Sequence, residues 1–246
     1  MKPVSRPAFY ALRPGAWRDY LTLLHFPYTV WHLSYVVLGA TAAPVLHVDR
    51  VAWSSLAFFL GVGLAAHALD EYHDRPMKSD ISSGALIGIA GVSLVGALLI
   101  GVYASLTIGL WMVLFVAFGG VIVLAYNLEW AGGRFHSDFW FGIAWGAFPA
   151  LASYWANAER LDVQAFLISG ACFALSLAQR TLSRRVKNVR RDVRVLSGHV
   201  ELKDGQTEEI TVRYLIAAPE MALKLTGTSV ALFAVGMLLA RIQLAH

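Results

Sequence analysis

The sequence predicts an all-α protein, a helical bundle that crosses a membrane about seven times. Hydrophobic residues make up 57% of the 246 residues and charged residues only 15%, and the mean hydropathy is +0.58. In soluble domains, charged residues supply about a quarter of the chain. The apolar runs approach the ~20 residues that a helix needs to span the hydrocarbon core. We therefore expect residues 1–246 to form one membrane domain, surrounded by lipids and without a nucleic-acid partner.

Seven apolar spans are predicted, at residues 20–43, 52–70, 83–103, 105–127, 139–157, 163–181 and 225–241. Only a short break around Ser105 divides the third span from the fourth. The seventh span is short, and residues 208–224 before it are expected to form a partly amphipathic segment at the membrane surface. Residues 182–224 together are predicted to form a basic cytoplasmic loop plus this interfacial segment. The single cysteine, Cys172, lies in the sixth span and is predicted to be a buried packing residue.

The distribution of lysine and arginine predicts which side faces the cytoplasm. These residues gather in the N-terminal arm, which holds Lys2 and Arg6, and in the loops near 71–82, 128–138 and 182–224. The opposite loops hold only Arg50, Arg160 and Arg241. We expect a cytoplasmic N-terminus in the inner membrane and no cleavable signal peptide, because the N-terminal arm is polar and basic. Every loop with candidate chemistry then opens to the cytoplasm.

Four polar residues at the end of the second span lie on one helical stripe: His67, Asp70, Glu71 and Asp74. Side chains three, four and seven residues apart share a helix face. Acidic residues at a helix C-terminus oppose the helix dipole, so helix stability does not explain them. Oxygen ligands with open positions suit Mg²⁺, which usually brings a phosphate. We predict a magnesium site at Asp70 and Asp74, with Glu71 as a further ligand. The alternative is a solvated helix end with Arg75 and Lys78 as counter-charges.

The segment after the sixth span is rich in arginine. Arg180, Arg184, Lys187 and Arg191 share one face at helical spacing. An unpaired arginine near the membrane core is costly, and a guanidinium suits bidentate contacts with phosphate. We expect Arg180 and Arg184 to bind a phosphate group. The alternative is that the segment anchors the protein to anionic headgroups.

The first span carries a stripe of His25, Tyr28, His32 and Tyr35 at helical spacing. Histidines inside a membrane need partners, so this face is predicted to point into the bundle. It forms either hydrogen bonds between helices or the polar wall of a substrate cavity, with one histidine as a base.

The loop after the fourth span reads YNLEWAGGRFHSD. Its candidate site residues are Tyr126, Asn127, Glu129 and His136, arranged around the turn at Gly132 and Gly133. In the next span, three aromatic residues share a face: Trp145, Phe148 and Trp155. They either pack in the bundle or at the interface, or stabilise a developing carbocation.

The end of the second span resembles the first aspartate-rich motif of the UbiA superfamily of intramembrane prenyltransferases. That motif reads N-D-x-x-D-x-x-x-D. In one alignment Leu69 stands in place of the asparagine and His73 in place of the second aspartate; in the other, Asp70 and Asp74 form a D-x-x-x-D motif of their own. The basic residue and proline that often follow correspond to Arg75-Pro76.

Two further loops extend the resemblance over about residues 15–200. The loop beginning Tyr126-Asn127 is similar to the family's tyrosine-containing second cytoplasmic loop. The third loop stands where the family has its second aspartate-rich motif, but it offers only Asp192. The family also commonly has nine spans, where this chain has seven.

The resemblance implies Mg²⁺-dependent transfer of an isoprenyl group from a prenyl diphosphate to a lipophilic or aromatic acceptor. It implies metal ligands at Asp70 and Asp74 and catalytic roles for His67, Tyr126 and Asn127. The expected substrate-binding residues are Arg75, Lys78, Arg180, Arg184, His25, His32, Glu129 and His136. Two alternatives stay open: a terpene cyclase that acts on the same diphosphate, and a non-catalytic lipid-binding or assembly protein on a degenerate UbiA scaffold.

Overall fold

The computed structural model describes residues 7–13 and 15–244, and in that part of the chain the protein is an all-α bundle. The all-α class expected from the sequence is confirmed. Lys2 and Arg6, which entered the charge count above, lie outside the described residues. The helices are α1 (Ala16–Leu23), α2 (Phe26–Ala42), α3 (Val48–Asp74), α4 (Ser83–Thr107), α5 (Met112–Asn127), α6 (138–158), α7 (Val163–Arg191) and α8 (Val212–Leu244). A single turn, Trp130–Gly133, lies between α5 and α6.

Four helices, α3, α4, α7 and α8, are long and apolar enough to cross a membrane. Each predicted apolar span coincides with a helix, and the first covers both α1 and α2. Helices α2 and α5 have 17 and 16 residues and lie at the short end of the spanning range. Length and composition therefore support a membrane protein.

The last helix differs from the expectation of a surface segment followed by a short span. Helix α8 runs unbroken for 33 residues, with Pro219 inside it, and at 1.5 Å per residue it is about 50 Å long. Its first part packs against α7, where Arg190 pairs with Glu220 at 2.6 Å. The side chains of both residues are largely buried, so this ion pair ties the C-terminal part of α7 to the N-terminal part of α8.

The basic loop predicted from residue 182 begins later in the structure, because α7 continues to Arg191. A small antiparallel hairpin follows, with β1 at His199–Glu201 and β2 at Thr207–Glu209. The hairpin is mostly exposed. The α7 extension carries the basic face over the end of the bundle.

Small residues allow the helices around the site to approach closely. A Cβ at Gly39 of α2 would collide with the backbone carbonyl of Ala150 in α6, and one at Gly146 would lie 2.6 Å from the carbonyl oxygen of Cys172 in α7. Cys172 is fully buried, which confirms its predicted packing role. Helix α6 therefore fits tightly between α2 and α7.

Two helices contain wide π-helical turns, Phe59–Ala66 in α3 and Gly142–Ala147 in α6. The first directly precedes His67, the first member of the polar stripe. Such turns change which residues face the bundle interior and occur often at functional sites. Both lie beside the cavity described next.

Candidate functional site

A polar cavity of about 250 Å³ opens where α2, α3, α5, α6 and α7 meet. It brings together nine of the residues predicted from the sequence: His25, His32, His67, Asp70, Tyr126, Asn127, His136, Arg180 and Arg184. The residues come from three separate predicted groups, the acidic stripe, the first-span stripe and the two later loops. The other predicted residues, Glu71, Asp74, Arg75, Lys78 and Glu129, do not line this cavity.

The three carboxylates of the acidic stripe point to different surroundings. Asp70 lines the cavity, where attraction from Lys187 and repulsion from Asp74 both act on it. Asp74 is exposed, and its ligand oxygen lies within 4.8 Å of ligand atoms of His73 and Glu129. This cluster therefore holds two carboxylates that could share a cation, and Asp70, one helical turn away on α3, lies outside it.

Glu71 holds a loop. Its side chain is buried, and its two carboxylate oxygens accept backbone hydrogen bonds from Met77 and Ser79, each 2.8 Å long. The sequence predicted Glu71 as a further magnesium ligand. Because both oxygens are occupied by N–H donors, the structure instead gives this carboxylate a structural task between α3 and α4.

Arg75 and Lys78 belong to the same loop. The Arg75 guanidinium donates to the carbonyl oxygens of Ser79 and Ile81 and to the Ser83 hydroxyl. Lys78 is exposed and has a left-handed backbone with φ of 54°. The structure thus uses Arg75 to close the loop and leaves Lys78 at the surface, away from the cavity.

Arg180 connects the cavity to α6. Its Nε lies 2.5 Å from Asp138, its Nη1 donates to the Tyr126 hydroxyl, and its guanidinium lies 4.9 Å from the centre of the Phe141 ring. Arg184 also contacts Asp138, at 3.1 Å. The hydrogen bond from Arg180 lowers the pKa of Asp138, and attraction from Arg184 lowers it further, even though this carboxyl is partly exposed. Asp138 therefore orients both arginines.

The predicted loop after α5 folds back over the cavity. The His136 ring stacks on Tyr126 with ring centres 4.5 Å apart, and its Nδ1 lies 3.1 Å from the Tyr126 carbonyl oxygen. Glu129 lies 3.6 Å from the same imidazole. The turn needs positive φ at several positions, among them Gly132 and Gly133, as the sequence suggested.

Three more histidines form the opposite wall. His25 and His67 lie with ring centres 4.2 Å apart, and His67 Nδ1 is 3.2 Å from the Gly63 carbonyl oxygen. His32 Nε2 lies 3.1 Å from Oε1 of Gln179 in α7. The first-span stripe therefore points into the bundle, and it both makes an interhelical hydrogen bond and lines a cavity.

An apolar chamber of about 340 Å³ adjoins the polar cavity. The two spaces share Val62 of α3 and Trp145 of α6, each from a π-helical turn. The chamber runs towards the opposite end of α3, where Asp49 and Arg50 line it. Because Val62 and Arg50 are twelve residues apart on one helix, the chamber extends about 18 Å along the bundle.

Aromatic side chains line this chamber. Phe148 lies 5.4 Å from Phe58 and 4.8 Å from Phe118 between ring centres, and Phe115 lies 5.8 Å from Trp155. Of the face predicted from three aromatic residues, Trp145 and Phe148 line the chamber, whereas Trp155 packs against Met112 and Ala156.

Sequence reasoning did not select three residues that matter for this geometry. Gln179 and Asp138 bond to predicted site residues from neighbouring helices, and Lys187 lines the cavity. Helical spacing placed Lys187 on the face of Arg180 and Arg184, but the sequence predicted no binding role for it. Gln179 and Asp138 were given no role either, because their contacts depend on which helices are neighbours.

Comparisons with protein-family models, with curated proteins and with solved structures return no match for this chain. The UbiA-like relationship therefore stays a prediction from the residues quoted above.

Proposed function

We propose that the protein is a membrane prenyltransferase that uses Mg²⁺ and takes its isoprenyl group from a prenyl diphosphate. The observation that carries the proposal is the pair of adjacent cavities, one polar with three cations and one apolar with aromatic walls. Only Val62 and Trp145 line both, so the pair suits an amphiphile with an anionic head and a long apolar tail. A site for a wholly polar or wholly apolar ligand would not need both.

The cationic side of the cavity supports a diphosphate at the head position. Arg180, Arg184 and Lys187 approach it from one face of α7. Arginine offers a planar fork of donors to phosphate oxygens, and lysine adds a compact charge. Asp138 holds the two guanidiniums in place, and the Tyr126 hydroxyl fixes Arg180 from the other side. These residues would bind and orient the leaving group.

The donor set next to the polar cavity fits magnesium in part. Asp74 and Glu129 offer carboxylate oxygens close together, and Asp70 lines the cavity one helical turn away along α3. Glu71 is left out, because its side chain is buried and both its oxygens accept backbone hydrogen bonds. A magnesium ion held by Asp74 and Glu129, with Asp70 on the cavity side, would neutralise charge that develops on a departing diphosphate.

The aromatic chamber supports the other half of the reaction. A carbocation beside an aromatic face is attracted by the negative face of the ring. Trp145 stands at the junction of the two chambers, 5.4 Å from the Tyr126 ring centre. It would lie next to the bond that breaks, while Phe58, Phe115 and Phe148 would surround the tail and exclude water.

The same proposal includes the orientation. Seven crossings with the N-terminus in the cytoplasm would place the polar cavity at the cytoplasmic side of the inner membrane. The basic end of α7 and the loop at 71–82 support that arrangement, because positive charge favours the cytoplasmic side. A water-soluble magnesium diphosphate product could then leave directly into the cytosol.

The test is incubation of the purified protein with prenyl diphosphates of increasing length, Mg²⁺ and a mixture of lipophilic and aromatic acceptors, followed by product analysis. Asp70→Asn and Asp74→Asn are each expected to abolish Mg²⁺-dependent turnover, while the protein still inserts in the membrane. Glu208→Gln, on the exposed hairpin, is the matched control and should keep full turnover. Full activity in the Asp70→Asn/Asp74→Asn double variant would reject the assignment.

One observation favours a second function, a non-catalytic lipid-binding protein. Asp138 already neutralises part of the charge of Arg180 and Arg184, so the cavity does not require an anion. Lipid extraction and mass spectrometry, with and without Mg²⁺, separate the two. Metal-dependent retention of a prenyl diphosphate supports the enzyme, whereas retention of bulk phospholipid alone supports the lipid-binding protein.

A further inference from the structure

Two buried imidazole nitrogens in the polar cavity are unpaired. His25 Nε2 and His32 Nδ1 have no hydrogen-bond partner among residues 7–13 and 15–244. The two residues are only 7% and 6% exposed, and both line the cavity. Buried polar atoms are nearly always hydrogen-bonded, so each exception calls for an explanation. The magnesium and diphosphate contacts described above use neither nitrogen.

The hydrogen bond to Gln179 fixes the chemistry of His32. An amide oxygen only accepts hydrogen bonds, so the imidazole must donate from Nε2 to Oε1 of Gln179. In a neutral imidazole the other nitrogen, Nδ1, then carries a lone pair. A charged imidazolium would add to the positive charge of Arg180, Arg184 and Lys187 in the same cavity. His32 Nδ1 is therefore a buried acceptor that needs a donor.

His25 is placed on the same wall at a conformational cost. It stands between α1 and α2 with a left-handed backbone, φ 44° and ψ 44°. Residues other than glycine adopt this conformation rarely, and such strain collects at binding sites. The His25 ring lies between the rings of Tyr10 and His67, at 5.5 Å and 4.2 Å. The fold thus holds an imidazole beside the cavity without giving its Nε2 a partner.

We infer that His25, His32 and Gln179 form a binding site for the hydroxyl group of a neutral ligand. The ligand O–H donates to His32 Nδ1, and His25 Nε2 is a second unpaired nitrogen on the same cavity. Gln179 keeps His32 in the tautomer that accepts. The inference rests on the proposed function in one respect: this hydroxyl-bearing ligand would be the acceptor of the isoprenyl group.

The test compares β-naphthol with its methyl ether, in which a methyl group replaces the hydroxyl hydrogen. Full-length protein in lipid nanodiscs is titrated with each probe, without prenyl diphosphate or Mg²⁺, against empty nanodiscs. The wild type is expected to bind β-naphthol roughly five- to ten-fold more tightly than the ether, as one hydrogen bond to a buried acceptor allows. His32→Phe should reduce the affinity for β-naphthol to that for the ether. His199→Gln, on the exposed hairpin, is the control and should keep the preference.

Gln179→Leu provides a second variant, which keeps His32 but removes the group that fixes its tautomer. It is expected to lower the preference for β-naphthol. Where His32→Phe fails to fold, an unchanged preference in a folded Gln179→Leu protein contradicts the inference. Equal binding of the two probes by the wild type overturns the inference, as does an unchanged preference in a folded His32→Phe protein. Binding of inorganic pyrophosphate is measured in parallel. A wild-type protein that binds pyrophosphate but shows no preference for β-naphthol rejects this site alone, whereas a naphthol preference without prenyl transfer rejects only the proposed reaction.

Discussion

Replacing Glu71 with glutamine separates a structural carboxylate from a metal ligand. In the wild type, the two oxygens of this buried side chain accept hydrogen bonds from the amides of Met77 and Ser79. Glutamine has nearly the same shape but only one acceptor oxygen. Its NH₂ group would face one of the two backbone N–H donors, so that a buried donor is left without an acceptor.

The magnitude follows from these two contacts. A hydrogen bond to a charged group contributes about 1.5–3 kcal/mol, and an unsatisfied buried donor costs about 1–3 kcal/mol. Losing one such bond and orphaning one N–H should reduce the free energy of unfolding by about 3 kcal/mol in total. In a protein of this size, that corresponds to a decrease of roughly 6–12 °C in Tm.

The assay is thermal unfolding of Glu71→Gln, Asp74→Asn and wild type in the same detergent, each with increasing Mg²⁺. Glu71→Gln should have the lower Tm at every Mg²⁺ concentration and should keep the increase in Tm that Mg²⁺ produces in the wild type. Asp74→Asn should lose that increase, with little change in Tm without metal, because its side chain is exposed. A Glu71→Gln protein with unchanged Tm and no response to Mg²⁺ would refute the structural role and restore the metal ligand predicted from sequence.

Two other variants test the anion end and the tail end of the site. Asp138→Asn should reduce Tm at neutral pH, by a modest amount because solvent screens this exposed pair. Arg180 lowers the pKa of Asp138 in the folded protein. The stabilisation from Asp138 is therefore present above the ordinary carboxyl pKa range and is lost as pH falls through the lowered pKa. Equal Tm values for Asp138→Asn and wild type at pH 7 would contradict the ion pairs. Gly61→Phe should shorten the longest prenyl diphosphate that binds, because Gly61 lines the chamber and a Cβ there meets only Ala97, at 3.9 Å. Gly91→Phe, at an exposed position on α4, is its control, and an unchanged chain-length limit in Gly61→Phe would argue against the chamber as the tail site.

Helical periodicity was enough to predict much of the site. It put Tyr28 and His32 on an inward face of α2, and it put Arg180 and Arg184 on one face of α7. These predictions succeeded because side chains three, four or seven residues apart on a regular helix must share a side. The composition likewise predicted the all-α class, since long apolar segments in lipid need internally bonded backbones.

The same rule could not predict where each member of the acidic stripe points. Asp70, Glu71 and Asp74 share a stripe, yet one carboxylate lines the cavity, one holds a loop and one lies at the surface. The difference arises from the segment after α3, which turns back beneath Glu71 and presents two amide donors to it. Turn geometry of this kind depends on tertiary contacts, and helix periodicity carries no information about it.

The junction between the chambers depends on the two π-helical turns. Val62 and Trp145, which border both chambers, belong to Phe59–Ala66 and Gly142–Ala147. Each turn contains two glycines, and Gly146 has no room for a Cβ against the backbone of Cys172. If the first turn were regular α-helix, the residues after it would face a different direction relative to the bundle. His67 directly follows this turn, and Asp70 lies three residues further along. The direction in which Asp70 faces therefore depends on the irregular turn before it, so the polar and apolar cavities meet where two helices depart locally from α-helical geometry.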